Sequence, residues 1–429
     1  MQEVQETTTN VNGYNLHVIQ STKYKTVNLV VKFKAPLERE TITNRAILPY
    51  VLQQGTEKYP NARSLRQALD ALYGAVLSID GSKKGEQHIL TFRLEVANEA
   101  YLTNETSLLD QAVQLLSEII FKPKADGQAF DAKIVSREKV TLKQKMDAIK
   151  DDKMSYANMR LMDEMCKEEP YHLHVHGYQE DLEQLNESSL YHFYQQLLQE
   201  DQMDIYLLGD FSNKQVEDTV TKYFVRDTSQ SPLKQNRLAQ KQIDQVQEIV
   251  DKEDVQQGKL HLGYRTNITY NDEDYAALQV FNGIFGGFPS SKLFINVREK
   301  NSLAYYAASR VESHKGLLLV FSGINPADYQ KAKDIMIEQM EAMKSGDFTE
   351  EQVEEVKNLV VNQFLETMDH PVGLIEVLYH QVIAASDLKP EELLNKVKNV
   401  SKEDVVRVAN KVELDTVYFL TSKGGNANA

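Results

Sequence analysis

Alternating apolar and polar positions mark Tyr14–Ile19 and Val27–Phe33 as strands, flanking a polar connection that fits a hairpin. Apolar residues then recur at helical spacing from about Thr43 and over Ser64–Leu72. The pattern is clearest over Glu105–Ile120, where Leu108, Leu109, Ala112, Val113, Leu116 and Ile119 share one face. Ile89–Val96 reads as a strand. A helical block over Asp131–Lys167, a helix over Glu187–Gln199 and a strand over Met203–Leu208 complete the first half.

Between Arg226 and Gln247 the chain turns polar, rich in Gln, Ser and Lys, and reads as a linker. Beyond it the order of elements repeats. Strand Leu260–Tyr264 and helix Asp274–Phe285 are followed by a helix-to-strand passage over Leu293–Ala308 and strand Leu317–Phe321. Helices then run over Ala327–Lys344, Glu350–Ala384 and Lys402–Lys411, and Thr416–Leu420 closes the chain as a strand. The repeat is one of element order and hydrophobic pattern, since identity between the halves is poor. Strands interspersed with helices, several of them hairpin-like, favour an α+β domain used twice over a doubly wound parallel sheet. The expected division is residues 1–225, a linker at 226–247, and residues 248–429, with a disordered tail at 424–429.

Composition narrows the partners. The 48 Lys and Arg against 63 Asp and Glu give a net charge of −15, with no basic cluster, which argues against nucleic acid. Apolar runs are far shorter than the roughly 18–20 residues of a membrane span, and the first residues lack the basic start and apolar core of a signal peptide. Cys166 is the single cysteine, so no intrachain disulfide or Cys-rich metal site forms, and a reducing cytoplasm is the expected compartment.

The most informative segment runs from Gly286 to Tyr306: a glycine pair, the serines Ser290 and Ser291, an amphipathic helix ending near Lys300-Asn301, then a strand. Seven residues separate Arg298 from Tyr305, two turns of a continuous helix, but Asn301-Ser302 reads as a stop, so spacing alone does not bring them together. Taken singly, they read as a solvated Arg and a half-buried aromatic. The combination Gly-Gly, Ser-x-Leu-Phe and Arg-Glu-x-x-x-Leu-Ala-Tyr resembles the C-terminal signature of the pitrilysin/insulinase family of metallopeptidases, which includes the mitochondrial processing peptidase. The resemblance extends over nearly the whole chain. It implies two homologous α+β domains, each a mostly antiparallel sheet with packed helices, facing each other around a peptide chamber. It also assigns Arg298 and Tyr305 to binding the substrate backbone and stabilising the tetrahedral intermediate, roles that suit a guanidinium fork and a phenol O–H.

The family's zinc site does not carry over. Its inverted H-x-x-E-H helix precedes a Gly-Thr, matched here by Gly55-Thr56, and the family spacing places Ala46, Pro49 and Tyr50 at the motif positions. The third ligand, a Glu seven residues beyond the Glu of an Arg-Glu pair matched by Arg137-Glu138, is replaced by Lys145. Catalytic zinc needs three protein ligands and an open position. A methyl group and a proline ring offer no lone pair, and an ammonium repels a dication. Shifting the alignment does not help, because no His lies between His17 and His88. Pro49 is also expected to disturb the helix and delay its start.

His172, His174 and His176 alternate, so in a strand they would share one side as a metal cluster. Without a carboxylate base or supporting shell they make a poor hydrolytic site, and a structural or adventitious role is expected. Gly283, Gly286 and Gly287 lack a following Gly-Lys-Ser/Thr and read as a helix cap and turn rather than a phosphate loop.

The resemblance therefore implies a zinc-less subunit with no cofactor of its own. It would pair with a zinc-bearing homologous partner and supply Arg298 and Tyr305 to a peptide held on the partner's metal; a homodimer remains open as the assembly. The alternatives are a peptide-binding or scaffold protein with no role in proteolysis, and a zinc peptidase using the His172 cluster.

Overall fold

The computed structural model describes residues 4–11, 13–102, 107–226 and 241–423. The linker reading at 226–247 falls largely, and the tail reading at 424–429 wholly, outside them. The described residues divide into two compact units, those within Met1–Asp147 and Leu173–Asn236, and those within Ala148–His172 and Arg237–Ala429.

In chain order the first unit contains strands β1 (Glu6–Val11), β2 (Tyr14–Gln20) and β3 (Thr26–Pro36), helices α1 (Ile42–Leu52) and α2 (Ala62–Ala71), strands β4 (Val76–Lys84) and β5 (Gln87–Ala97), and helix α3 (Leu108–Phe121). A two-residue ladder of β6 (Ala125–Asp126) and β7 (Ala129–Phe130) leads to α4 (Ala132–Asp151). After α5 (Lys153–Met165), which belongs to the second unit, come α6 (Gln179–Gln184), α7 (Glu187–Glu200), β8 (Gln202–Gly209) and α8 (Asn213–Tyr223). The second unit continues with β9 (Gln247–Glu253), β10 (Gly258–Arg265), α9 (Tyr275–Asn282), β11 (Ala304–Glu312), β12 (Leu317–Ile324), α10 (Tyr329–Ser345), α11 (Glu350–Asp369), α12 (Pro371–Ala384), α13 (Pro390–Lys398), α14 (Lys402–Ala409) and β13 (Glu413–Ser422).

The two sheets have the same topology. Their orders are β1-β2-β8-β3-β5-β4 and β11-β12-β10-β13-β9, so reading from β2 and from β9 the strands follow one path. The directions agree as well: β2 with β8 and β9 with β13 are parallel, and every other neighbouring pair is antiparallel. The α+β fold used twice is thus present, with β1 added to the first sheet. In β3 the alternate residues Val27, Leu29, Val31 and Phe33 join the helical core, and in β10 Leu260, Leu262 and Tyr264 do the same. The break between α4 and α5 at Asp152 has its counterpart between α11 and α12 at His370.

Four expectations are corrected. Strands β2 and β3 are not a hairpin: β8 lies between them, parallel to one and antiparallel to the other, and takes the hydrogen bonds of both. The helical block 131–167 is two helices, because the Asp152 carboxylate accepts from the amides of Met154 and Ser155 and starts a new one. Segment 148–172 packs with the second unit, where Leu161 and Met165 of α5 join Leu317, Leu319, Tyr418 and Leu420. Its close approach needs Gly263, where a Cβ would lie 2.5 Å from Met165 Sδ.

Finally, α1 is not delayed by Pro49 but runs through it. The lost amide and ring clash cost about 3 kcal/mol. Four buried neighbours, Ile47, Leu48, Val51 and Leu52, each contribute about 1.5–3 kcal/mol on burial and outweigh that cost. One turn into the helix, Arg45 forms a buried bidentate pair with Asp201, at 2.7 and 2.9 Å.

Candidate functional site

Helix α9 passes directly into a wide turn at Gly283–Gly287. A Cβ on Gly286 would lie 2.5 Å from Ser309 Oγ and 2.7 Å from Leu293 Cδ1, so only glycine lets this turn lie against β11. The next helical segment, Phe294–Glu299, is wound as a π-turn, in which Lys300 N–H donates to Ile295 O at 2.9 Å. Such turns often mark functional sites. Leu293 and Val297 are fully buried and anchor the segment, while Ser291 Oγ accepts from the Phe294 amide. The chain then reverses at Ser302, whose φ of 51° lies in the left-handed region, and enters β11.

This frame presents the two side chains singled out in the sequence. The Arg298 guanidinium stands 4.5 Å over the Phe294 ring, with Nε 3.5 Å from Glu299 Oε1, and is about two-fifths exposed. Tyr305 is 80% exposed. Its presentation has a backbone cause: between Ala304 and Ala307 the β11–β12 register slips by one residue. A bulge of this kind re-aims a side chain. Tyr306, beside it, points inward with a buried hydroxyl that has no hydrogen-bond partner among the described residues. Burial first, and then the Asp152 charge, push its pKa up to about 12. Among the described residues no hydrogen bond or ring contact joins Arg298 to Tyr305. The π-turn and the bulge carry no residue-type signal that the sequence reading could have used.

In the first unit, Ala46 and Tyr50 lie one turn apart on α1, with Pro49 between them, and Lys145 lies on α4. These elements do meet: Lys145 Nζ sits 5.6 Å from the Tyr50 ring, a cation–π contact where the family places metal ligands. Ala46 is buried, and Glu138 of the Arg-Glu pair is buried and accepts from Arg137 Nε at 2.7 Å. An ammonium, a phenol, a methyl and a proline ring form no set of zinc donors.

The alternating histidines are not in a strand. Pro170–His172 is a single 3-10 turn, and His172 Nδ1 bonds Glu169 O at 2.7 Å, whereas the His174 ring stacks on Tyr178. His176 is held below its ordinary pKa by burial first and then by the charges of Lys145 and His174. The loop is pinned to α1 through Gly177, where a Cβ would lie 2.6 Å from Thr43 Oγ1, and through the Tyr178 amide, which donates to that oxygen. Among the described residues no group of three or more His, Cys, Asp or Glu could hold a metal ion, nor is any helix long and apolar enough to cross a membrane.

Comparison with known proteins agrees with this picture. Residues 184–360 match the model of the peptidase M16 inactive domain. The chain is 48% identical to the probable inactive metalloprotease YmfF of Bacillus subtilis (strain 168), over 99% of this chain and all of that one. It is 27% identical to the mitochondrial-processing peptidase subunit alpha of Pongo abelii over 34% of this chain and 30% of that one. A solved structure of a conserved protein from Enterococcus faecalis V583 superposes with a TM-score of 0.91 at 34% identity, covering 98% of this chain and 99% of that one. The chain therefore belongs to the pitrilysin/insulinase (M16) peptidase family, as a member that lacks the H-x-x-E-H zinc motif.

Proposed function

We infer that this chain is the zinc-less subunit of an M16-type peptidase, binding peptide and presenting Arg298 and Tyr305 to a tetrahedral intermediate formed on the metal of a homologous partner. One observation carries the reading. The three metal-ligand positions and that of the general base hold Ala46, Tyr50, Lys145 and Pro49, which form no zinc-binding set, while the glycine turn, the π-turn and the bulge form an intact mount for an exposed Arg and an exposed Tyr. Buried hydrophobic residues around the π-turn fix the mount, so the two donors need no other role in the fold. On this reading, residues 1–225 act as a peptidase-like domain with a degenerate metal site, and 248–429 as the domain carrying the substrate-binding pair. The relation to a processing-peptidase alpha subunit supports a partnered arrangement. The single cysteine supports a reducing cytoplasm, and the charge of −15 a preference for basic peptides.

The test is affinity copurification of the tagged chain from its native cells, followed by peptide hydrolysis with whatever partner is recovered. A stoichiometric subunit containing H-x-x-E-H is expected. Arg298→Ala and Tyr305→Phe should each lower turnover by about 10- to 1000-fold, as for lost oxyanion donors, with unchanged thermal stability. Full turnover in both variants refutes the assigned roles. Peptide binding with no partner-dependent hydrolysis would instead favour a scaffold.

A further inference from the structure

We propose that the cleft between α2 and α3 in the first unit is a binding site for a cationic group, a guanidinium or primary amine. It is independent of the function above. The cleft has a volume of about 400 Å³, within the range of small-ligand sites. Its α2 wall carries Ala68 and Ala71, whose methyl groups leave the space open, and Leu115 of α3 supplies apolar surface. Glu118, one turn beyond Gln114 on α3, is the acidic group of the lining.

Glu118 is poorly partnered for a carboxylate whose side chain is only 12% exposed. Its Oε1 has the Gln114 amide at 3.5 Å and the Lys58 ammonium at 4.0 Å, both at the outer limit of useful contact. Its Oε2 is buried and has no hydrogen-bond partner among the described residues. Buried carboxylate oxygens ordinarily take one or more strong donors. Rotation about the terminal bond presents either oxygen to the cleft at small cost. Lys58 does not fill the need, because its side chain is about half exposed and extends past the Tyr59 ring, where its ammonium lies 5.3 Å from the centroid.

A guanidinium or ammonium in the cleft would donate a charged hydrogen bond to the carboxylate oxygen presented to it and leave its alkyl stem against Leu115 and the alanines. The protein's net charge of −15 favours the approach of such a ligand. The same chemistry is carried by a free amino acid and by an Arg or Lys side chain of a peptide.

Isothermal titration of the full chain with N-acetyl-arginine amide tests the proposal, with N-acetyl-citrulline amide as its neutral counterpart. Saturable binding at one site is expected, weakened about tenfold or more for citrulline and in Glu118→Gln, as for loss of a charged hydrogen bond. Ala71→Leu, which fills the cleft without touching charge, should also remove it, and thermal unfolding of both variants checks that they are folded. Equal binding of free arginine would assign the site to a small molecule, and preference for the capped form to a peptide side chain. Equal affinity for arginine and citrulline forms, heat unaltered in both variants, or no saturable heat up to about 10 mM ligand would overturn the proposal.

Discussion

Gly286→Ala should both destabilise the second unit and misplace Arg298 and Tyr305, the proposed pair of donors. The added Cβ would stand 2.5 Å from Ser309 Oγ, 2.7 Å from Leu293 Cδ1 and 2.8 Å from the Ser309 backbone nitrogen. Carbon contacts normally settle at about 3.5–4.0 Å. The tip of Leu293 can yield, but the backbone nitrogen moves only if β11 moves. Overpacking of this kind costs about 1–3 kcal/mol, and a unit of this size loses about 2–4 °C in Tm per kcal/mol. A fall of about 2–12 °C follows. The sign is informative because Gly286 is not among the residues with positive φ, so without the clash alanine would stabilise by about 0.4–1 kcal/mol through the unfolded chain.

The same displacement separates the π-turn carrying Arg298 from the strand carrying Tyr305, and an error of about 1 Å in such a constellation costs about 100-fold in rate. Thermal unfolding gives the first quantity and hydrolysis by the reconstituted complex the second. Ser309→Ala in the Gly286→Ala background removes the contact with Oγ but leaves that with the backbone nitrogen, so it should restore part of the lost stability. Against this, Ser309→Ala alone loses the hydroxyl's hydrogen bond to Asn282 Oδ1, at 2.8 Å. A Tm for Gly286→Ala at or above that of the unmodified chain, or a double variant no better than the sum of the two single ones, would refute the packing argument.

Two further predictions concern the first unit. Replacing Ala46 and Tyr50 by His and Pro49 and Lys145 by Glu should install a site for one zinc ion, since Tyr50 and Lys145 already meet at 5.6 Å; metal analysis after dialysis reads this directly, and a zinc content no greater than that of the unmodified chain would show that the two helices no longer hold ligand geometry. His17 is buried, which lowers its pKa, but hydrogen bonds and charges from Asp204 and Glu6 outweigh this and lift it from 6.5 to about 9. Its stabilising contribution, on the order of 3 kcal/mol, is therefore fully present below about pH 6.5 and is lost as pH rises through about 9; urea unfolding at pH 6.5 and 9.5 should show the loss, and His17→Gln should flatten it.

Local pattern disclosed most of the elements, and its failures have physical causes. The alternation of β3 and β10 was legible because one face of each joins a core. Strand β4, with Ser78, Asp80, Ser82 and Lys83, shows too few apolar residues to read as a strand and exists through its pairing with β5. The insertion of β8 between β2 and β3 is a contact across nearly 190 residues, which no window detects. Asp152 was visible as a residue, but its role as a cap depends on the chain turning there to send α5 onto the second sheet. At the candidate site the residue types were legible from the motif, whereas the π-turn and the bulge that present them are backbone features without a sequence marker.

The stability of α1 without metal bears on why an erased site can persist in a folded protein. In a metal-dependent site, ligands on α1 and α4 would be joined through the ion, and losing it would leave those helices without that link. Here Arg45, one turn into α1, is locked to Asp201 by a buried fork, Thr43 and Arg39 tie the helix start to Asp181, and Gly177 lets the loop before α6 close against Thr43. Lys145 replaces a ligand carboxylate by a cation over an aromatic ring, a contact worth about 0.5–1 kcal/mol at an exposed position and well short of a metal bond. The helix is therefore held by its flanks rather than by its metal-binding face. That face is free to lack metal-binding chemistry without loss of the fold.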